Sequence, residues 1–563
     1  MTRGARLRYG AAFALPVAAA AFVVLSVSNA PIYDEWLWSP LIVAAHTGTL
    51  VPAQLWAQQN SHRSVLPSLI ALGLAALTGW DMRVEALVSV LLILACQLCV
   101  LRLFVRERGV ARAAGPFLAA SLLLYSLCQV ENLLWGFQLS WFLANALAFA
   151  MLVALAFAPG MRLPVPRFWV ALAGAIGASF SMLFGFAVWP AGFAVLWRAR
   201  FGGRRWFQAL WAAAACACAF AYVVGYQRPP DEHGWFAEAA RPLLDVPQFA
   251  LAVLGSPLGL AGGRWLCELL GAILCAVFVA FAVRAKRDGA AAEPWLGLFA
   301  FGAGVAVLIG LGRTAYGVDA AVISRYTTPA TAAWIALLGI ASARAAIPRP
   351  VLAVGGVLFV VTNLLGLAVA WHISGEERDL ASRIGHLERL SDDELRRAFT
   401  NNYRVGQPGF IRSQVRQLAR LKLGPFRSPQ ADVAGAAAVS SEPSLPHPIV
   451  VSTVQPRILG IGFDRAAYQW GDLAHLRVVT TTNTAAVEVT PFADLPVRLP
   501  FRLHETALGE FSGLLRIPFG PPGLPPPRVR FVVDVVALGG EGRTAARRVA
   551  FDLGAKAAPP SAK

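Results

Sequence analysis

Long runs of apolar residues constrain this chain more than any other feature of its sequence. They follow one another from Ala11 to Trp371, and several reach the roughly 20 residues that a helix needs to cross a bilayer. Only 14% of the residues are charged, whereas a soluble domain carries roughly 25%. The sequence therefore predicts a polytopic α-helical membrane protein.

Basic residues predict the orientation, because Arg and Lys accumulate in cytoplasmic loops. Arg3, Arg6 and Arg8 precede the first run and place the N-terminus in the cytoplasm. The later basic clusters all fall on the same side if 66–80 and 243–262 lie in, or dip into, the outer membrane surface. The chain then has about 11 spans, at roughly 11–29, 84–104, 115–130, 139–158, 168–182, 184–197, 207–225, 265–284, 294–312, 327–343 and 350–371.

The net positive charge and the first apolar run each have a second interpretation. The formal net charge of +17 is accounted for by inner loops, so nucleic acid is not an expected partner. The first run also fits a signal peptide cleaved after Ala30. A retained helix is favoured because many similar runs follow.

The seven cysteines lie in apolar runs, so the sequence does not predict a disulfide framework.

The chain divides into three predicted regions. Residues 1–371 form the membrane domain. Residues 372–447 combine amphipathic helices with a linker rich in Ala, Ser and Pro. Residues 448–563 contain short alternating runs separated by Gly and Pro, which predict a small β-sandwich with a disordered C-terminal end. Both later regions are expected on the periplasmic side.

The first candidates for catalysis are Asp34 and Glu35, which follow the first span directly. Tyr33, Trp36 and Trp38 surround them, and the tryptophans suit an interfacial anchor. A carboxylate at this place can accept a proton from a hydroxyl group or hold a metal ion. The alternative is that the pair caps a surface helix. A divalent cation remains open, because Asp231-Glu232-His233 has ligand types but no second cluster at a known spacing.

Other polar residues gather in the predicted outer loops. Arginine suits phosphate because its guanidinium is a planar fork of donors, and it stands at the outer ends of spans at Arg63, Arg83, Arg313 and Arg325. A short turn from Glu131 to Gln138 is dense in hydrogen-bonding groups beside Trp135, which suits sugar binding. Structural alternatives exist for each set: snorkelling for His62 and Arg63, ion pairing with Asp81 or Glu85 for Arg83, anchoring for Arg313 and Arg325, and a well-bonded turn at 131–138.

The order of these features resembles the N-terminal half of the GT-C glycosyltransferases, above all the protein O-mannosyltransferase and aminoarabinose-transferase type. The shared order is an apolar span, Tyr33-Asp34-Glu35, a long outer loop, His62-Arg63-Ser64-Val65-Leu66-Pro67, an apolar helix, and Thr78-Gly79-Trp80-Asp81-Met82-Arg83. Ser324-Arg325-Tyr326-Thr327-Thr328-Pro329 resembles their Arg-Tyr element at the start of a late span. The resemblance covers roughly 10–345, and His62-Arg63-Ser64 stands where those proteins usually have His-Pro-Pro.

The resemblance implies an inner-membrane glycosyltransferase of GT-C fold that uses a polyprenyl-phosphate sugar donor at the periplasmic face. The acceptor would be an envelope glycan, lipid or protein. Asp34 would be the general base or the metal-side carboxylate, with Glu35 as its partner and Arg325 on the carrier phosphate. The full predicted set adds Arg63, Arg83 and Tyr326 for the donor phosphate, and His62, Glu131, Asn132, Trp135 and Gln138 for the sugar or acceptor.

Two hypotheses from other classes remain. A transporter or flippase for a lipid-linked sugar predicts polar residues at mid-span, whereas the span centres here are mostly Ala, Leu, Val and Gly. A non-catalytic envelope scaffold would use the β domain for binding, and it predicts that Asp34 and Glu35 are buried against other residues, with no adjoining cavity.

Overall fold

The structure is a computed structural model that divides into two compact units, Met1–Glu442 and Pro443–Lys563. In the first unit it describes residues 1–59, 61–156, 163–198, 204–227, 240–287, 293–342, 348–384, 387, 395 and 408–427. In the second unit it describes the backbone of eight strands. The predicted linker after residue 427 and the Asp231-Glu232-His233 triplet lie outside the described residues.

The first unit is helical. Its helices are α1 (Arg3–Ser26), α2 (Ser39–His46), α3 (Pro52–Trp56), α4 (Val65–Thr78), α5 (Met82–Leu124), α6 (Val130–Leu134), α7 (Leu139–Leu155), α8 (Val165–Ser179), α9 (Val188–Arg198), α10 (Arg204–Val223), α11 (Ala240–Gly259), α12 (Gly263–Arg287), α13 (Glu293–Arg313), α14 (Thr327–Ser342), α15 (Arg349–Arg383) and α16 (Pro408–Leu421). Short 3₁₀ turns at Tyr33–Leu37, Gly136–Gln138 and Ser324–Tyr326 carry several candidate residues.

Seven helical stretches in the described part of the chain are long and apolar enough to cross a membrane. They are Arg3–Ser26, Met82–Leu134, Gly136–Leu155, Arg205–Val223, Asp245–Arg287, Glu293–Arg313 and Pro350–Ser382. Shorter apolar helices cover Val65–Thr78, Val165–Ser179 and Leu183–Trp197. The chain is thus a multi-pass helical membrane protein, and the number of about 11 spans and their orientation stay predictions.

The longest stretch folds back on itself at Gly109, whose φ of +71° interrupts α5. Gln97 lies as far before Gly109 as Ser121 lies after it, and Gln97 donates a 3.0 Å hydrogen bond to the Ser121 hydroxyl. The two halves of α5 therefore lie side by side. The turn falls between Arg106 and Arg112, where the sequence predicts a basic loop joining two spans.

The two segments predicted to lie in, or dip into, the outer membrane surface are both mostly helical, but they differ in length and packing. Residues 66–80 contain α4, whose 14 residues extend about 21 Å, less than the roughly 30 Å of a hydrocarbon core. Residues 243–262 contain most of α11, which packs antiparallel along α12. A β-carbon on Gly255 would lie 1.8 Å from the carbonyl oxygen of Cys267, so only glycine permits this close approach.

A second apolar core lies beside the acidic pair, separate from the core of the main bundle. Trp36 and Trp38 are fully buried in it and pack with residues of α16, including Ile411 and Leu418. The prediction that these two tryptophans are interfacial anchors is therefore wrong, because α16 and α2 cover them. Trp56, the third tryptophan of the same loop, is more accessible, with 38% of the residue exposed.

The second unit contains two four-stranded antiparallel sheets, with strand orders β1-β2-β6-β5 and β4-β3-β7-β8. The strands are β1 (Ile458–Phe463), β2 (Leu473–Thr480), β3 (Thr484–Phe492), β4 (Phe501–Arg502), β5 (His504–Ala507), β6 (Glu510–Arg516), β7 (Val529–Gly539) and β8 (Thr544–Leu553). They occupy the region where the sequence predicts short strands. Packing of the sheets as a sandwich remains a prediction.

Candidate active site

The turn at 130–138 is bonded directly to the loop that carries Arg325. The Asn132 side-chain amide donates to the carbonyl oxygen of Arg325 at 2.8 Å and to the Thr328 hydroxyl at 2.6 Å. In return, the Arg325 amide donates to Oε2 of Glu131 at 3.1 Å, and the Glu131 amide donates to the Ser324 hydroxyl at 3.3 Å. Nearly 200 residues of chain separate these two segments, yet they form one hydrogen-bonded unit.

The residues before Asp34 reach the same unit. The ring of Tyr33 packs edge-on against Trp135, with 5.1 Å between ring centroids. Its hydroxyl donates to Oε2 of Glu376 at 3.1 Å, which ties the end of α15 to this loop. Burial raises the pKa of Tyr33 to about 12, and the negative charges of Glu376 and Glu131 add to the effect. Tyr33 has a φ of +44°, which a bulky residue adopts only when its surroundings hold it there.

The charged neighbours of Arg325 include the carboxylates of Glu131 and Asp34. Burial lowers the pKa of its guanidinium, but the neighbouring Tyr326, Glu131 and Asp34 outweigh burial and raise that pKa above its ordinary value. Asp34 and Arg325 are both half-buried, so each keeps some access to a ligand. The structure thus brings together Asp34, Arg325 and the 131–138 turn, which are far apart in the sequence.

Glu35 has a different environment from Asp34. Only 1% of it is exposed, and its two carboxylate oxygens accept hydrogen bonds from the amides of Ile32 at 2.8 Å and Phe137 at 3.2 Å. Burial raises the pKa of Glu35 to about 8, against the backbone hydrogen bonds from Ile32, Phe137 and Gly136, which lower it. Glu35 therefore links the first outer loop to the 136–138 turn by hydrogen bonds to both.

A second buried carboxyl group, Glu85, lies beside Glu35. A β-carbon on Gly136 would lie 2.8 Å from Oε1 of Glu35 and 2.9 Å from Oε2 of Glu85, so the two groups flank the same glycine. The indole of Trp80 donates to Glu85 Oε1 at 3.1 Å, while Oε2 is buried without a partner among the described residues. The sequence offered Glu85 only as a partner for Arg83. Its signal was a carboxylate one turn inside an apolar helix.

Arg63 lies elsewhere and uses its guanidinium on main-chain carbonyl oxygens. Nε donates to Tyr222 at 2.8 Å, Nη1 to Trp56 at 2.8 Å and Nη2 to Val224 at 2.7 Å. The side chain is buried, with 3% of the residue exposed. Two of these bonds satisfy carbonyl groups at the end of α10 and the third satisfies one at the end of α3, and these groups otherwise lack helical partners. Arg63 therefore acts as a cap that joins the first loop to α10.

Two other predicted residues are also engaged locally. Arg83 forms a two-point ion pair with Asp81, at 2.9 and 2.6 Å, and its side chain is 49% exposed. His62 has its main chain paired with Gln59, and its Nδ1 is buried without a partner among the described residues. Burial lowers the pKa of His62 to about 3, with a further contribution from the charge of Arg313. The imidazole is therefore neutral at physiological pH.

The remaining predicted residues are buried around the unit. Tyr326 packs between Trp141 and Phe249, at centroid distances of 6.0 and 6.3 Å. Gln138 and Trp135 are nearly inaccessible, and the Oε1 and Nε1 atoms they carry lack partners in the described part of the chain. Within the described residues, no group of three or more His, Cys, Asp or Glu side chains is placed to hold a metal ion.

Comparison with known proteins gives one line of similarity. No protein-family model and no curated protein matches this chain. Two solved structures are similar, ArnT from Cupriavidus metallidurans bound to undecaprenyl phosphate and the same protein in the apo state. Both are 15% identical with a TM-score of 0.41. The first match covers 77% of this chain and 81% of that chain, and the second covers 78% and 82%.

Proposed function

We propose that this chain is a membrane glycosyltransferase that moves a sugar from a polyprenyl-phosphate carrier to an acceptor in the bacterial envelope. The observation that carries the proposal is that a half-buried carboxylate, Asp34, lies close enough to a half-buried guanidinium, Arg325, for its charge to act on it, although the two residues belong to separate 3₁₀ turns. Transfer from a phosphate carrier needs these two charges close together, one to accept a proton and one to hold the leaving phosphate.

The proposed step balances as follows. The acceptor hydroxyl gives its proton to the Asp34 carboxylate as its oxygen bonds to the anomeric carbon of the sugar. The bond between that carbon and the phosphate oxygen breaks, and its electron pair stays on the phosphate. Negative charge grows there, and Arg325 stabilises it because a guanidinium donates two parallel hydrogen bonds to phosphate oxygens.

Glu131 and Asn132 hold Arg325 in position through its main chain. We assign the sugar or acceptor contacts of this turn to Glu131, which is half-buried, whereas the rest of the turn is buried. Glu35 becomes a positioning residue in this proposal, because both of its oxygens are bonded to the backbone and it faces Glu85. Arg63 and Arg83 are left out of the phosphate site, since their donors already have protein partners.

The rival hypotheses fare differently. Between the two halves of α5, the uncharged Gln97 hydrogen-bonds to Ser121 and to Tyr125, the residue that follows the helix. This arrangement favours a structural role over an ion or sugar path, and so it does not favour a transporter. The scaffold hypothesis requires both residues of the acidic pair to be buried. Glu35 meets that requirement, whereas Asp34 is only half-buried.

Reconstituted vesicles separate these functions. The full chain would be incorporated with radiolabelled undecaprenyl-phosphate sugars and an envelope extract as acceptor, with undecaprenyl phosphate chosen because it is the lipid in the similar ArnT structure. A transferase moves label from the lipid to a water-soluble or lipid product without moving the carrier across the bilayer. Translocation without transfer would support the transporter, and neither activity with any donor would support the scaffold.

A further inference from the structure

Two amide side chains on one side of α7 have oxygen atoms without hydrogen-bond partners. Asn145 lies within α7 and Gln138 directly precedes its first residue, and each is at most 4% exposed. Oδ1 of Asn145 and Oε1 of Gln138 are buried and accept no hydrogen bond from the part of the chain that the structure describes. Seven residues separate the two, which is nearly two full turns, so they lie along one line of the helix about 10 Å apart.

This side of α7 faces the interior of the helical bundle. The ring of Trp141, which comes between the two amides, packs on Tyr326 at a centroid distance of 6.0 Å. Further along α7, the side chain of Leu152 would lie 2.5 Å from a β-carbon on Gly297 of α13. Asn145 is within about 40° of both Trp141 and Leu152 around the helix axis. It therefore points between Tyr326 and α13, about 6 Å further along α7 than Trp141.

An unpaired amide oxygen at such a place needs a physical reason. A buried polar group without a partner is costly in a membrane protein, because apolar surroundings do not replace its hydrogen bonds to water. Asn363 of α15 shows the usual arrangement: its amide nitrogen donates to the Ser126 hydroxyl at 3.0 Å, and its oxygen accepts from the Leu127 amide at 2.8 Å. A bound ligand with hydrogen-bond donors would complete Asn145 and Gln138 in the same way.

We propose that Asn145 and Gln138 bind hydroxyl groups of an uncharged sugar on the lipid-phosphate donor. The ligand rests on the proposed function, in which Arg325 holds the donor phosphate. Tyr326 follows Arg325 and packs on the same side of α7, so the sugar attached to that phosphate is the part of the donor nearest to the two amides. One sugar ring with a hydrogen bond of about 2.8 Å at each end spans roughly the distance between them.

The chemistry of the two side chains determines the class of sugar. An amide accepts through its oxygen and donates through its nitrogen, and a hydroxyl group can do both in return. The helix α7 carries no charged residue, so an ammonium or carboxylate group of a sugar would meet no opposite charge on it. The subsite therefore takes a sugar that is neutral at the positions it contacts. This enclosed contact adds to the outer one assigned to Glu131.

The test is binding of undecaprenyl phosphate derivatives to the purified full chain in neutral detergent, measured as the shift in melting temperature over a range of concentrations. The probes are the bare carrier, the carrier with glucose, mannose or galactose, and the carrier with an aminopentose. N145A is the test variant. N363A is the matched control, because it removes an asparagine from another membrane helix whose hydrogen bonds are made within the protein. The ligand-free melt of each variant shows that it is folded.

We expect the wild type to bind the carrier with at least one of the three neutral sugars about tenfold or more tightly than the bare carrier. N145A should lose most of that preference and bind the bare carrier as the wild type does, because the phosphate contact is intact. Its ligand-free melting temperature should fall less than that of N363A, since Oδ1 of Asn145 accepts no hydrogen bond from the described residues. N363A should keep the preference.

An undiminished sugar preference in N145A would overturn the proposal, and a large fall in its ligand-free melting temperature as well would assign Asn145 to the packing of the bundle. Tightest binding of the aminopentose carrier would overturn the neutral class of sugar. Wild-type binding of the bare carrier without preference for any sugar would overturn the subsite alone. Binding of no derivative would contradict the proposed function too, whereas sugar-dependent binding without transfer in vesicles would contradict only the transferase.

Discussion

The main-chain amide of Arg325 donates a 3.1 Å hydrogen bond to the carboxylate of Glu131. The position of Arg325 therefore depends on a turn that precedes it by almost 200 residues. We expect E131A to lower transfer about tenfold or more, because the 324–328 loop loses its acceptor while Arg325 itself is intact. E131Q keeps an acceptor oxygen and should retain more activity than E131A. If Glu131 acted only through its charge, the two variants would be equally impaired in a transfer assay.

The four arginines proposed from sequence position should separate into different classes when each is changed to glutamine. R325Q should abolish transfer and leave the protein folded, because its side chain is proposed to meet the phosphate. R63Q should lower the free energy of unfolding by about 3 kcal/mol, because three carbonyl groups lose their donors. R83Q should change stability by less than about 1 kcal/mol, since its ion pair is half-exposed.

Thermal unfolding and transfer assays on the same preparations check these three variants. The fourth variant is R313Q. Arg313 lies over the ring of Tyr316, 5.6 Å from the ring centroid, and is expected to act only as an anchor. Loss of transfer in R83Q with normal stability would return Arg83 to the phosphate site. Normal transfer in R325Q would remove the phosphate contact from the proposal.

The raised pKa of Glu35 predicts how the stability of the folded chain depends on pH. Its pKa is raised from the ordinary 4.5 to about 8 in the folded chain, so it binds a proton more tightly folded than unfolded. The resulting stability is complete below about pH 4.5 and is lost as the pH rises through about 8. The melting temperature of the wild type should therefore fall by several degrees between pH 5 and pH 9. E35Q should show a smaller fall, and an unchanged pH dependence in E35Q would contradict the assignment.

Gly136 is predicted to be sensitive to a single methyl group. A β-carbon there would meet Glu35 and Glu85 within 3 Å, so G136A should cost about 1–3 kcal/mol of stability and displace the turn from Arg325. Gly115 is the matched control, because it lies in a helix with nothing within 4 Å of an added β-carbon. G115A should be neutral or stabilising, by up to about 1 kcal/mol. Equal effects of G136A and G115A on the melting temperature would contradict the predicted steric clash at Gly136.

The order of short motifs, and their common position on the predicted outer side, indicated that Asp34, Arg63, Arg325 and the 131–138 turn converge, but Arg63 is bonded to main-chain carbonyl groups elsewhere. The sequence could not separate Asp34 from Glu35, because adjacent residues in a 3₁₀ turn face different surroundings and the turn begins at the left-handed Tyr33. Arg63 was equally hidden. Its carbonyl partners at Tyr222 and Val224 lie about 160 residues later, and a main-chain carbonyl has no signature in a sequence.

The burial of Trp36 and Trp38 was also beyond the sequence. A tryptophan beside a span suits an interfacial position, and part of the cover over these two rings comes from α16, which lies far along the chain. Composition determined the class of fold because lipid requires long apolar helices. It gave less about segments 66–80 and 243–262, where short or proline-containing helices satisfy the same pattern.

The most direct test of the central claim is the rate of sugar transfer by D34N in reconstituted vesicles, compared with D319N. Asp319 is a more exposed carboxylate, with a side chain 68% exposed, and it pairs with Arg264 away from the proposed chemistry. Asn keeps the shape of Asp34 but cannot accept the proton, so D34N should lose transfer by about a hundredfold or more with wild-type stability, while D319N stays active. Transfer by D34N at the wild-type rate would contradict Asp34 as the base and, with it, the account of this site.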